Sequence, residues 1–172
     1  EKLRAHEKVL PTFLEASREL ELDAAQNHAH AEIRSRAAFT LAVLGGPEAL
    51  ERLEELLGDA YPNTRYNAAI GFCRHGDPRG EKILNEMLDA TSTVGLRDEK
   101  SESEQKLKRI SVMLNAVRAV DELVAQHAAD PMPLEAIARL QNTVRQLQDR
   151  PETSPQVSRV VKELVKQWPA KS

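Results

Sequence analysis

Residues 29–57 recur without a gap at residues 60–88, and that repeat restricts the fold more than any other feature of the chain. At an offset of 31 (60 minus 29) nine positions are identical: Ala29/Ala60, Arg34/Arg65, Ala37/Ala68, Ala38/Ala69, Gly45/Gly76, Pro47/Pro78, Leu53/Leu84, Glu55/Glu86 and Leu57/Leu88. Phe39/Ile70, Leu41/Phe72 and Leu56/Met87 are conservative pairs. A unit of this size cannot bury its apolar side alone, so successive copies must stack to close a core.

Each copy reads as two helices. In the first, Ile33, Ala37, Leu41 and Leu44 fall at helical spacing and predict one buried stripe. Gly45 then ends the helix, since glycine takes the left-handed turn without a Cβ penalty. Pro47 opens the next helix at its first position, where a missing N–H costs nothing. Leu50, Leu53, Leu56 and Leu57 form that helix's apolar face, and Gly58 ends it. The second copy follows the same grammar, with Asp77 as cap, Pro78 as opener, and Ile83, Leu84, Met87 and Leu88 inside.

The alternation continues with looser spacing. Residues 90–105, "ATSTVGLRDEKSESEQ", are polar and aperiodic and read as an inserted, mobile loop between paired helices. Ser101 and Glu104 have the spacing of a capping box. The helix that follows would bury Leu107, Ile110, Leu114, Val117, Val120 and Val124. Asp130-Pro131 would start another, with Leu134, Ile137, Leu140, Val144 and Leu147 inside, and Ser154-Pro155 the last, with Val157, Val161, Leu164, Val165 and Trp168. Residues 2–25 read as one helix or two, with Pro11 as a restart point. No strand signal competes. The expectation is an all-α, right-handed α–α superhelix of about four helical pairs. It would form one domain over 1–172, with clear repeats at 29–89 and divergent ones at 101–169. The opening Glu1-Lys2, without methionine, reads as a piece of a longer protein.

The stretches "EIRSRAAFTLAVLGGPEALERLEELLGD" and "NTRYNAAIGFCRHGDPRGEKILNEMLD" resemble HEAT repeats, in particular the short bacterial, phycobilisome-lyase-like type. Arg34 and Arg65, the two Ala pairs, Gly45 and Gly76, Asp77, and Pro47 and Pro78 carry the likeness. Gly46 stands where that pattern has Asp, and His75 where it has Leu. The resemblance implies a curved helical scaffold whose second helices line a concave, partner-binding face. Its enzymatic members match poorly. Deoxyhypusine hydroxylases hold two irons with repeated His-Glu pairs, and here His6-Glu7 stands alone. Repeat-built DNA glycosylases need basic and aromatic residues in the concavity. Bilin lyases are generally longer chains, and no residue set here defines pigment handling.

Composition narrows the chemistry. A net charge of −3 and only one Trp, two Tyr and three Phe argue against nucleic acid, which asks for a concentrated cationic field and stacking platforms. Lys106, Lys108 and Arg109 form a small basic cluster, but acids at 98, 99, 102 and 104 stand beside it. One cysteine excludes an intramolecular disulfide framework and suits a reducing, cytoplasmic setting. No apolar run reaches the roughly 20 residues of a membrane span. His28, His30 and Glu32 in "HAHAE" supply too few convergent ligands for zinc and read as a solvated inter-helix turn. Cys73 and His75 differ by about 200° on a helix and cannot readily share a proton. Aligned with Ala42 and Leu44, they read as a buried small residue and a core position.

No catalytic, cofactor or metal residue is therefore expected. The expected function is a non-catalytic scaffold for a protein or peptide. Arg36, Thr40 and Val43, turned away from the stripe, and their equivalents Asn67, Gly71 and Arg74 form the expected partner-binding patch on the concave face. A lyase-like or glycosylase-like enzyme, or a purely structural spacer, are the alternatives.

Overall fold

In the computed structural model residues 2–19, 28–96, 99–129 and 134–168 are described, and among them every regular element is helical. The α-helices are α1 (Lys2–Glu19), α2 (His28–Leu44), α3 (Pro47–Leu56), α4 (Pro62–Arg74), α5 (Glu81–Leu88), α6 (Glu102–Gln126), α7 (Glu135–Gln146) and α8 (Pro155–Val165). A 3-10 turn, Pro78–Gly80, precedes α5.

Most helix ends lie where local chemistry puts them. Gly45 and Gly76 adopt φ of 68° and 71°, the left-handed conformation that ends α2 and turns the chain out of α4. Pro47 and Pro155 open α3 and α8, and Ser154 Oγ accepts from the Val157 N–H at 3.3 Å. The capping box at α6 is complete: Glu104 N donates to Ser101 Oγ at 3.2 Å, and Ser101 N to Glu104 Oε2 at 3.0 Å. Asp77 caps by accepting from Arg79 N at 2.9 Å. A further Xaa-Pro start, Tyr61-Pro62, opens α4. Asp130-Pro131 lies outside the described residues.

Two expectations about the chain's course are corrected. Pro11 does not restart a helix, because α1 runs through it. Proline removes one i→i−4 hydrogen bond, and here it sits on the exposed side of the helix. The insertion is shorter than 90–105 and partly tied down. Glu102 already begins α6, Leu96 is buried, and buried Arg109 donates through Nη2 to Met87 O at 2.5 Å and through Nη1 to Ser92 O at 3.4 Å.

The helices stack in two layers. α2 lies along α4, α4 along α6 and α6 along α8, while α3, α5 and α7 pack beneath them and α1 packs on α2. α4 is the shared wall of two apolar clusters. Ala68 and Phe72 join Leu14, Ala38, Leu41 and Leu53, whereas Ala69 and Cys73 join Leu84, Val117, Val120, Leu140 and Val161. Small residues set the α2–α4 distance. A Cβ on Gly71 would stand 2.6 Å from the Ala42 Cβ.

The buried side of α2 is rotated from the expected stripe. Ile33 is 44% exposed, while Arg34, Ser35, Ala38 and Ala42 are buried with Leu41. α2 is covered by α1, α3 and α4, so its buried arc is broad and centred on alanine rather than on the bulkiest residues. Leu107 and Leu134, expected inside, are also exposed, because they lie at or near the starts of α6 and α7.

Polar ties connect successive repeats. Arg34 and Asp59 form a bidentate ion pair, Nε–Oδ2 2.7 Å and Nη2–Oδ1 3.1 Å, with both side chains almost fully buried. In the second copy Ala90 stands where Asp59 would be, and Arg65 instead reaches Glu86 Oε1 at 3.0 Å and the Asp59 carbonyl at 2.9 Å. Arg52 of α3 donates to Ser17 O and Oγ at the end of α1, at 2.5 and 2.9 Å, and pairs with Glu55.

Candidate functional site

Among the described residues, one side of the layer of α2, α4 and α6 is left uncovered. On α2 that side carries Arg36, Phe39 and Val43, with Phe39 55% and Val43 48% exposed. The 31-residue register places Asn67, Ile70 and Arg74 beside them on α4. On α6, Gln126 Nε2 donates to the Cys73 and Arg74 carbonyls at 3.0 and 3.2 Å, which sets the last turn of α6 beside that of α4. Glu122 and Arg118, one and two turns earlier, continue the exposed strip.

The six residues expected to form a patch are distributed unevenly. Arg36, Val43 and Arg74 are exposed. Thr40 is half-buried, and its hydroxyl donates back to the Arg36 carbonyl at 3.0 Å. Asn67 is half-buried, and its amide donates to Ser35 O and Oγ at 2.9 and 3.1 Å, stapling α4 to α2. Gly71 is corrected: it is buried at the α2–α4 contact against Ala42 and Leu53 and does not face outward. Phe39 and Arg118 are exposed on this side and were not among the expected residues, whereas Ile70, the repeat equivalent of Phe39, is half-buried and packs against the larger apolar cluster.

Electrostatics separates this side from the rest of the surface. Elsewhere most arginines among the described residues are tied down: Arg34 to Asp59, Arg52 to Ser17 and Glu55, Arg65 to Glu86, Arg79 to Asp77 and Glu54, Arg139 to Glu81. Among the described residues, Arg36, Arg74 and Arg118 make no hydrogen bond, ion pair or ring contact through their guanidinium groups, and neither does Arg159 on α8. Glu32, at the start of the α2 strip, is engaged by the Tyr61 hydroxyl at 2.7 Å.

The other candidates have structural duties. Cys73 is wholly buried, and burial, reinforced by Glu122 and Asp77, pushes its thiol up to about 12. His75 is not a core residue. It is exposed, forms the C-cap of α4, and its Nε2 donates to the Ala42 carbonyl at 2.9 Å. The ring lies against Gly45, where a Cβ would fall 2.4 Å from His75 Cε1. His127 repeats the device at the end of α6, donating from Nε2 to the Gly76 carbonyl at 2.8 Å. "HAHAE" is helical rather than a turn, since α2 begins at His28. Among the described residues no group of three or more His, Cys, Asp or Glu converges as metal ligands would. The basic cluster is broken up, because Arg109 is buried and Lys108 lies 3.8 Å from Glu99. Among the described residues no helix is long and apolar enough to cross a membrane.

Cys73 yields a prediction together with Tyr66, whose hydroxyl is raised to about 12 by burial and then by Glu86. The folded chain holds both protons at pH values where the unfolded chain releases them. The unfolded state then binds fewer protons, so stability is complete below about pH 8.5 and falls as pH rises toward about 12. Thermal midpoints are expected to be level from pH 7 to 8.5 and to drop above it. The decline should be shallower in the Cys73→Ala/Tyr66→Phe variant, and a thiol reagent should label native Cys73 at pH 8 far more slowly than the denatured chain.

Residues 20–99 match the family model described as HEAT repeats, without singling out the short bacterial type. No curated protein and no solved structure gives a significant match.

Proposed function

From the match of residues 20–99 to HEAT repeats, we propose that this chain is a non-catalytic scaffold that holds a protein or peptide against the uncovered side of α2, α4 and α6. One observation carries this reading: exposed Phe39 and Val43 stand beside unpaired Arg36 and Arg74 on two packed helices of one layer. Exposed apolar side chains among unsatisfied cations are what an interface core and its polar rim require. HEAT repeats commonly mediate protein interactions, which supports the same reading. A cytoplasmic setting belongs to the proposal, because Cys73 is a free thiol.

The test compares the wild-type chain with Phe39→Asp and with the charge reversal Arg36→Glu/Arg74→Glu, in affinity enrichment from cells of the native host. Circular dichroism would verify that each variant is folded. Partners retained by the wild type should be lost from both variants. An unchanged set of partners on folded variants would overturn the assignment of this face.

A further inference from the structure

We propose that the segment this scaffold binds is acidic, with carboxylates that pair with Arg36, Arg74 and Arg118 and an apolar side chain that covers Phe39 and Val43. The inference rests on the scaffold reading and adds the chemistry of the partner.

The first support is the selective lack of partners. This fold spends its arginines on internal contacts: Arg34, Arg65, Arg79 and Arg139 each hold a carboxylate of another helix or loop. On the uncovered side α2, α4 and α6 each present a guanidinium with no protein partner among the described residues, a state otherwise shared by Arg159 of α8. Guanidinium is a rigid fork matched to carboxylate oxygens, so an unfilled set of them is a recognition element for carboxylates.

Spacing supplies the second support. Register puts Arg36 beside Asn67, and Arg74 lies seven residues further along α4, about 10 Å at 1.5 Å per residue. Neighbouring helix axes are about 8–10 Å apart, so Arg36 and Arg74 are separated by roughly 14 Å on the diagonal. Four residues of extended chain cover about that distance. Arg118 lies eight residues before Gln126, which is bonded to the Arg74 carbonyl, and therefore returns to the level of Asn67 on the far side of α4. The three cations thus form a triangle around Asn67 and Ile70, with Phe39 and Val43 along its α2 edge.

The same face argues against a polyanion such as nucleic acid. Glu122 interrupts it between Arg118 and Arg74, and the chain as a whole carries −3. The aliphatic and aromatic side chains beside the cations ask for an apolar counterpart rather than a run of phosphates.

The test is selection of random dodecapeptides displayed on phage against the wild-type chain and against Arg36→Gln/Arg74→Gln/Arg118→Gln, with Phe39→Asp as a third target. Wild type should enrich sequences with Asp or Glu about four residues apart and an aromatic or aliphatic residue between them. Synthetic copies should bind the triple variant at least tenfold more weakly and weaken steeply from 50 to 500 mM salt. Peptides that lose binding to Phe39→Asp but keep it on the triple variant would overturn the acidic partner and leave the scaffold reading standing. A selection that yields no peptide sensitive to either variant would sink both. A single-stranded oligonucleotide that displaces the selected peptides and binds more tightly would overturn the proposal in favour of nucleic acid.

Discussion

Asp59→Ala is expected to lower folding stability by about 3–5 kcal/mol, which makes it the most damaging single substitution on the polar side of this fold. Arg34 is 1% exposed and Asp59 5% exposed at the side chain, so removing the carboxylate takes a bidentate partner away from a buried guanidinium. The loss extends beyond the pair, because Asp59 Oδ1 also accepts from the Tyr61 N–H at 2.7 Å, just ahead of α4. A second variant separates the worth of the pair from the cost of removing only one of its two charges. Arg34→Met/Asp59→Ala removes both charges and should recover most of the loss, since buried ion pairs are often no better than apolar residues of similar volume. Urea midpoints for the two variants would show this. Equal destabilisation by the single and the double change would mean that loss of the carboxylate beside a buried guanidinium is not the cause.

The Gly71→Ala substitution should also destabilise, against the usual direction for glycine in a helix. Alanine is better than glycine in a helix interior by about 1 kcal/mol. Here the new Cβ would meet Ala42 Cβ at 2.6 Å and Ala42 Cα at 3.2 Å, and neither atom can rotate away. Overpacking of this sort costs about 1–3 kcal/mol, so the net change is expected to be unfavourable, and Gly71→Val should exceed it. The Ala42→Gly/Gly71→Ala swap moves the methyl to the facing helix and should restore much of the stability lost in Gly71→Ala. A double-mutant cycle on thermal midpoints would read the coupling. Simple additivity of the two changes would mean that α2 and α4 shift apart without strain.

These two sites show what could and could not be read from the chain itself. Helix ends were legible because their chemistry is local. Gly45, Gly76, Pro47, Pro155 and the Ser101/Glu104 pair act on backbone groups within a few residues, and each does so in the structure. The buried face of α2 was only partly legible: Ala37 and Leu41 are buried as expected, but periodicity assumes one covered side. A helix with neighbours on three sides can build its core from Ala38, Ala42 and Ser35 and leave Ile33 and Phe39 outside. The uncovered strip was therefore only half right: Arg36, Val43 and Arg74 belong to it, and Gly71 does not. His75 eluded reading for a related reason. A leucine at that place would pack, whereas an imidazole there reaches across to a carbonyl of the preceding repeat, and alignment of the two copies carries no information about such a crossing bond.

Arrays of this kind change length by gaining or losing whole units, and the position of α4 limits how this one can do so. One side of α4 completes the apolar cluster toward α1, and the other completes the cluster toward α8. Excising a 31-residue unit that contains α4 would bring α2 directly against α6, leaving Ala42, which now faces Gly71, opposite a surface not shaped for it. The His75 bridge would vanish in the same event, and Gln126 would lose the carbonyls it caps. Though built from near-copies, the chain has made its second copy irreplaceable.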